Sequence, residues 1–441
     1  MRIKRIELDN FRLFDRLEVE FPAEGPAVFI GKNGSGKSSI LDALGYALAQ
    51  FVASISSANR KQTPATIMQY SDITIGKRVA QVAVQYDKLE KESPRLDLDL
   101  TLEEASKRFS YSYDPPDTVE KFGAKIIREG ATDVPILAYY RIDRTSGTQS
   151  PSKRKNRSIR VPVLFAYENS LTRFSSSLTD LIDWFIDQEN LENQVKLRTE
   201  NLNYTLPSLD TVRTALARAL AALDQSTGLS RLYVERSTNS AVPDFEVRVS
   251  VEASLLYEKD GLPIPLTSLS AGEKSFVVLV ADLARRLYIA NPESSTPLKG
   301  SGIVLIDEIE LHLHPEWQRN IISSLQLTFP GIQFVVTTHS PQVLSKVRAE
   351  NVLTIEKGHI LTTQDPYGRD SNAILEEVMD TTERPREADR LVTEIFGLLS
   401  GSKAQVREAS KKIDQLKQYV TSDDPVFNRF DAIRMRRELV G

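Results

Sequence analysis

Gly31-Lys32-Asn33-Gly34-Ser35-Gly36-Lys37-Ser38 stands between two flanks of different periodicity. Before it, Pro26 to Ile30 is a short apolar run that reads as a strand. After it, apolar residues at Ile40, Leu41, Leu44, Ala47, Leu48 and Phe51 have helical spacing. A glycine-rich turn between strand and helix is the setting of a phosphate-binding loop. Glycines there adopt backbone angles and close approaches that a side chain blocks. Successive N–H groups then point at an anion, at the positive end of the following helix. In such a loop Lys37 neutralises the β- and γ-phosphates and the Ser38 hydroxyl binds Mg2+.

Two later segments extend this chemistry. Gly302 to Ile306 is an apolar run ending in Asp307-Glu308. A strand end places both carboxylates at the carboxyl edge of a parallel sheet, where ligands bind in such folds. Asp307 there would hold Mg2+ and Glu308 would polarise an attacking water, although a strand-end acid pair can also be a solvated surface feature. His339, in Thr337-Thr338-His339-Ser340-Pro341, ends the next strand and can hydrogen-bond a terminal phosphate; a lone histidine is more often structural. Leu269-Ser270-Ala271-Gly272-Glu273-Lys274 opens a helix with Ser270 as cap and Glu273 completing a capping box. That is either an ordinary helix start or a second anion-facing helix N-terminus.

The chain has 441 residues and is 41% apolar, with room for about two or three domains or one large split domain. That composition allows a real core and argues against wholesale disorder. A net charge of −4 argues against a generally basic nucleic-acid binder, though not against a local patch. The absence of cysteine excludes disulfides, thiolate metal sites and cysteine nucleophiles. The charged start, Met1 to Glu7, lacks the apolar core of a signal peptide, and no uninterrupted apolar run has membrane-spanning length. A soluble, cytoplasmic protein is expected.

Residues 2–8 and 16–21 alternate apolar and polar as half-buried strands do, and 79–86 and 96–102, with 108–113, predict an antiparallel sheet beside the main core. Val134 to Tyr140 predicts a further strand. Residues 144–160 carry Lys153, Arg154, Lys155, Arg157 and Arg160 among Ser, Thr, Gly and Pro, which predicts a loop, either a solvated surface or a nucleic-acid contact. Residues 176–225 are expected to be helical, with Leu178, Leu181, Ile182, Trp184 and Phe185 as a packing stripe. Strands return near 231–258, 303–306 and 332–337, a helix starts near Pro315, and 352–361 is an expected hairpin. In the tail, Val406, Ala409, Ile413, Leu416 and Val420 form a stripe that either packs on its own domain or docks another subunit.

These residues, in this order, resemble the ATP-binding-cassette (ABC) ATPases of the RecF, SMC/Rad50 and OLD type. Asn10-Phe11-Arg12 is similar to their N-terminal motif, in which the arginine reaches the nucleotide. Glu308 to Pro315 resembles the acid-pair and D-loop form of the RecF and OLD branches. The resemblance implies an α/β P-loop NTPase: an ABC-type ATPase head with an antiparallel β lobe, a helical lobe and a helical C-terminal extension. The head would span 1–365, with a phosphate-loop half (1–145), an inserted helical lobe (160–228) and a second half (229–365); the extension would span 366–441. It implies ATP and Mg2+ as ligands, clamped between two copies in a homodimer or a higher even-numbered oligomer. Arg12, Asn33, Gly34, Ser35, Gly36, Lys37, Ser38 and Ser39 would hold the nucleotide, and Ser38 and Asp307 the metal. Ser270, Gly272 and Glu273 would face the nucleotide of the partner copy. Glu308 and His339 would be catalytic.

Departures narrow the resemblance. No long heptad array separates Ser38 from Leu269, as an SMC or Rad50 arm requires, and no paired acids of a Toprim nuclease follow the hairpin. Three of the four histidines, His312, His314 and His339, fall in the ATPase core, so an HNH nuclease is not expected within the chain. No glutamine stands out as the Q-loop. Pro135 to Tyr140, Leu181 to Phe185 and Gly368 to Leu375 resemble compact bacterial ATPases of the Septu anti-phage type (PtuA), which act beside a separate HNH nuclease (PtuB-like). ATPases of the PARIS system are the near competitor. The implied function is ATP-controlled regulation of a nuclease partner in anti-phage defence. The alternative is a RecF-like repair ATPase with nucleic acid as direct partner. A membrane transporter motor does not fit.

Overall fold

A computed structural model of the chain describes residues 1–57, 67–87, 93–103, 108–114, 117–129, 133–141, 162–171, 178–223, 229–238, 251–259, 261–361, 364–379, 386–399, 403–421 and 424–440. The basic stretch Lys153 to Arg160 lies outside them. The chain divides into two compact units, Met1–Gly368 and Arg369–Gly441.

The first unit opens with β1 (Ile3–Phe11), β2 (Phe14–Glu20), β3 (Ala27–Ile30) and α1 (Lys37–Ser57). There follow β4 (Val79–Tyr86), β5 (Arg95–Glu103), β6 (Arg108–Asp114), α2 (Asp117–Glu129) and β7 (Ile136–Tyr140). Next come α3 (Leu178–Thr199), α4 (Pro207–Leu223), β8 (Leu229–Thr238), β9 (Val251–Lys259), β10 (Leu262–Pro265) and α5 (Ala271–Ala290). The unit closes with β11 (Gly302–Ile306), α6 (Pro315–Thr328), β12 (Ile332–Thr337), α7 (Pro341–Leu344), β13 (Val352–Glu356) and β14 (His359–Leu361).

The central sheet has the order β14-β13-β3-β12-β11-β7. All its pairs are parallel except the hairpin β13–β14. Every residue of β3, β7, β11 and β12 is buried, as strands covered on both faces require. A second, antiparallel sheet has the order β2-β1-β4-β5-β6, which accounts for the alternating patterns in the sequence. α1 contacts β11 and β12 on one side and β4 and β5 on the other, so it lies between the two sheets. That explains why it is apolar all round. Among the described residues it is the one helix long and apolar enough on average to cross a membrane, although Asp42 and Gln50 interrupt its apolar run; 83% of that window is buried inside the protein. The buried Gln333 of β12 joins the sheets: its side chain accepts from the Ile3 N–H (2.6 Å) and donates to the Ile3 carbonyl (3.1 Å).

α4 packs on α5 and α6, and β8, β9 and β10 form a third, three-stranded sheet. The expected stripe of α3 is only partly apolar. Leu181 and Phe185 are buried, but Glu189 and Glu192 continue the same face. These carboxylates are tolerated because each is paired. Glu189 accepts from the Val234 N–H, and Glu192 from the Leu206 N–H, Lys196 and Arg213.

The second unit contains α8 (Ser371–Glu377), α9 (Arg386–Leu399), α10 (Lys403–Leu416) and α11 (Pro425–Val440). Ala409, Ile413 and Leu416 of the tail stripe are buried here with Ile395 and Phe430, and Phe396 meets the Phe430 ring edge-on at 4.9 Å. The stripe therefore packs within its own unit. Leu416→Ala should destabilise this unit by about 2–5 kcal/mol, read as faster amide exchange across 386–435. Unchanged exchange there would show that Leu416 is not a core residue.

Candidate functional site

The parallel register brings three strand ends together at one edge: the loop after β3, Asp307 after β11 and His339 after β12. The glycine loop is shaped by local sterics. Gly34 has φ +78° and open space where a Cβ would lie. Gly36 has φ +102° and rests against the buried Phe14 ring, so a Cβ there would enter the ring. α1 starts at Lys37, and its first N–H groups have no partner within the helix.

Lys37 is 6% exposed, and its ammonium donates to the carbonyls of Gly31 (2.8 Å) and Lys32 (3.1 Å). Burial lowers its pKa, and Asp307, Glu308 and Glu310 oppose that shift without cancelling it. Ser38 Oγ donates to Asp307 Oδ1 at 3.2 Å. Thr337 Oγ1 donates to the same oxygen at 2.6 Å and accepts the Glu308 N–H at 2.8 Å. Glu308 has φ +47°, a left-handed conformation uncommon for a residue with a side chain. The His339 N–H donates to Glu310 Oε1 at 2.6 Å, and Glu310 Oε2 is buried without a hydrogen-bond partner. Lys37, Ser38, Asp307 and Glu308 thus share one edge, with His339 tied to it through Glu310.

Arg12 lies beside the first turn of α1. Its guanidinium donates to Asp42 (2.7 Å) and Asp72 (2.8 Å) and lies 3.5 Å from Ser39 Oγ. Burial lowers its pKa, but the two carboxylates outweigh that and raise it overall. Asp42 also accepts from Tyr139 (3.0 Å) and Arg141 (2.9 Å). Arg12 is therefore committed to carboxylates in this structure, and Asn33 is exposed on the loop. Asp42, Arg141 and Thr337 join the site although no sequence motif marks them. Asp42 stands four residues after Ser38, on the same helical face, which was a usable signal. Arg141 directly follows β7, the neighbour of β11.

The Ser270 segment has the expected capping box. Ser270 Oγ accepts the Glu273 N–H (3.3 Å), and the Glu273 carboxylate accepts the Ser270 N–H (2.9 Å). Among the described residues neither side chain bonds the glycine loop. Gly272 is buried with its α-carbon against the His312 carbonyl, where a Cβ would collide. Its small size is thus required for packing the start of α5 on the turn that follows the acid pair.

Ser38 and Asp307 offer hard oxygen donors of the type Mg2+ takes. Among the described residues no group of three or more His, Cys, Asp or Glu is placed to hold a metal alone. A Mg2+ ion would depend on these two side chains together with phosphate oxygens and water, which the open space at Gly34 and the buried, unpartnered Ser35 hydroxyl suit.

The two glycines give a test of the loop geometry without any ligand. Gly34→Ala should cost about 1–2 kcal/mol, the strain of a left-handed alanine. Gly36→Ala should cost clearly more, because Phe14 must also move. Denaturant unfolding of the two variants measures both; equal losses would contradict the Phe14 contact.

Residues 27–345 match the family model described as "AAA domain, putative AbiEii toxin, Type IV TA system". The chain is 28% identical over 465 residues to the retron Ec83 probable ATPase of Escherichia coli, covering 96% of this chain and 85% of that protein. It is 28% identical over 159 residues to the Septu protein PtuA of Bacillus thuringiensis, covering 33% of this chain and 40% of that one. Among solved structures, an SMC head bound to the C-winged helix domain of ScpA covers 82% of this chain and 98% of its own, with 15% identity and a TM-score of 0.45. The family match takes in the glycine loop, the acid pair and His339, and the chain belongs to this AAA-domain family and is an ATPase.

Proposed function

We propose that the sheet edge is one half of a composite ATP site completed by a second copy of the chain, and that its nucleotide state controls a separate nuclease in anti-phage defence. The observation that carries the reading is the meeting of Lys37, Ser38, Asp307 and Glu308 at one edge, with Ser38 and Asp307 hydrogen-bonded across 269 positions of sequence. In this reading residues 33–39 hold the triphosphate of their own subunit, and Arg12, fixed beside the first turn of α1 by Asp72 through Nε and Asp42 through Nη1, would reach it with the rest of its guanidinium. Ser270, Gly272 and Glu273 present the start of α5 to the partner's nucleotide, an anion at a helix N-terminus. The exposed Ser270 and the absence of bonds from it to its own loop favour that role.

The chemistry is then divided among the residues. Lys37 and the loop N–H groups hold the phosphates in place and offset charge that develops on them. Ser38 and Asp307 would hold Mg2+, which when bound neutralises phosphate charge. Glu308 polarises the attacking water from the left-handed turn that follows β11. His339 hydrogen-bonds the terminal phosphate from the adjacent strand. Similarity to the Septu protein PtuA and to the retron ATPase supports a place in defence, and a separate nuclease as the controlled partner is what the resemblance to the Septu type implies.

Glu308→Gln should preserve ATP binding and slow turnover by roughly 10²–10⁴; unchanged turnover would remove Glu308 as the base. The same variant, held with ATP, should co-elute with an HNH nuclease partner, and failure to do so would count against nuclease control. Lys37→Ala and Ser270→Ala proteins, each inactive alone, should regain turnover when mixed, because mixed dimers hold one intact composite site. If no mixing ratio restores activity, each subunit's site is not shared.

A further inference from the structure

Thr337 ends β12 and is fully buried. A carboxylate only accepts hydrogen bonds and a backbone N–H only donates them. The Thr337 hydroxyl therefore gives its single proton to Asp307 Oδ1 (2.6 Å) and uses its oxygen to accept the Glu308 N–H (2.8 Å). The Thr337 carbonyl accepts the Ile309 N–H at 3.1 Å. Glu308, with φ +47°, is thus held through its own N–H and through that of the next residue, both on Thr337. Such a conformation in a residue with a side chain persists only where the surroundings impose it. Two positions along, the His339 N–H grips Glu310 Oε1 at 2.6 Å, so the end of β12 acts as a template for residues 307–310.

We propose that Thr337 is a positioning residue for hydrolysis: one side chain on the neighbouring strand sets both the rotation of the Asp307 carboxylate and the left-handed turn that carries Glu308. The inference rests on the roles given to Asp307 and Glu308 above. It assigns to Thr337 a function separate from filling the core. A valine at this position would pack equally well and would lose both hydrogen bonds, whereas a serine would keep them.

The test compares Thr337→Val and Thr337→Ser in the full chain by two readouts. One is steady-state turnover as a function of Mg2+. The other is equilibrium binding of a fluorescent ATP analogue with and without Mg2+. Thr337→Val should lower kcat by about 10- to 100-fold, the range for lost hydrogen bonds to a charged group. It should also weaken the Mg2+-dependent part of analogue binding several-fold and leave Mg2+-free binding at the wild-type level. Thr337→Ser should stay close to wild type in both. Should Thr337→Val not fold, Thr337→Ala carries the same expectations. Wild-type kcat and Mg2+ dependence in the variant lacking the hydroxyl would overturn the proposal, as would a loss in Thr337→Ser equal to that in Thr337→Val. Full turnover in Glu308→Gln would instead sink the reading of Glu308, while the Mg2+-linked binding would still report on Thr337 and Asp307.

Discussion

The hydrogen bond from Ser38 to Asp307 depends on the register of three parallel strands. β3 pairs with β12, and β12 with β11, so the residues that follow them emerge at one edge. The remaining features serve that edge. Lys37 is buried there, with its ammonium on two loop carbonyls and three carboxylates acting on its pKa. A buried ammonium without such partners would be costly. Bonded to the loop and opposed by acids, it keeps the loop closed around a position an anion can take.

Rigidity at this edge comes from elements distant in sequence. α1 is clamped between two sheets, and Asp42, one turn beyond Ser38, is gripped by Arg12, Arg141 and Tyr139. Burial and the Asp42 charge raise the Tyr139 pKa, so its hydroxyl keeps the proton it donates. A second buried cluster joins Tyr140 and Arg286 through Asp282, linking α5 to β7. The helix whose start carries Ser270 is thereby fixed to the strand beside β11. A rigid backing of this kind is what a site built from strand ends needs to hold a ligand in one geometry.

Much of this was legible in the sequence because the signals were local. Glycines between strand and helix, Ser270 three residues before Glu273, and apolar runs ending in Asp307 and His339 each declare their own backbone. What was illegible depends on partners elsewhere in the chain. Thr337 reads as one more strand residue until β11 lies beside it. Glu189 and Glu192 interrupt an apolar stripe because Arg213, Lys196 and the amides of Leu206 and Val234 meet them from other elements. Gly272 reads as an anion contact in the motif, yet its missing side chain is first required by the His312 carbonyl. Periodicity showed that the Ala409 to Leu416 stripe is buried, but it could not name α9 and α11 as its cover.

The central claim is that this edge is half of a site. Turnover per subunit, measured across dilution from well above to well below the concentration at which subunits associate, tests it most directly. A composite site predicts that specific activity falls towards zero as the subunits separate. Constant specific activity in a protein shown to be monomeric would contradict it.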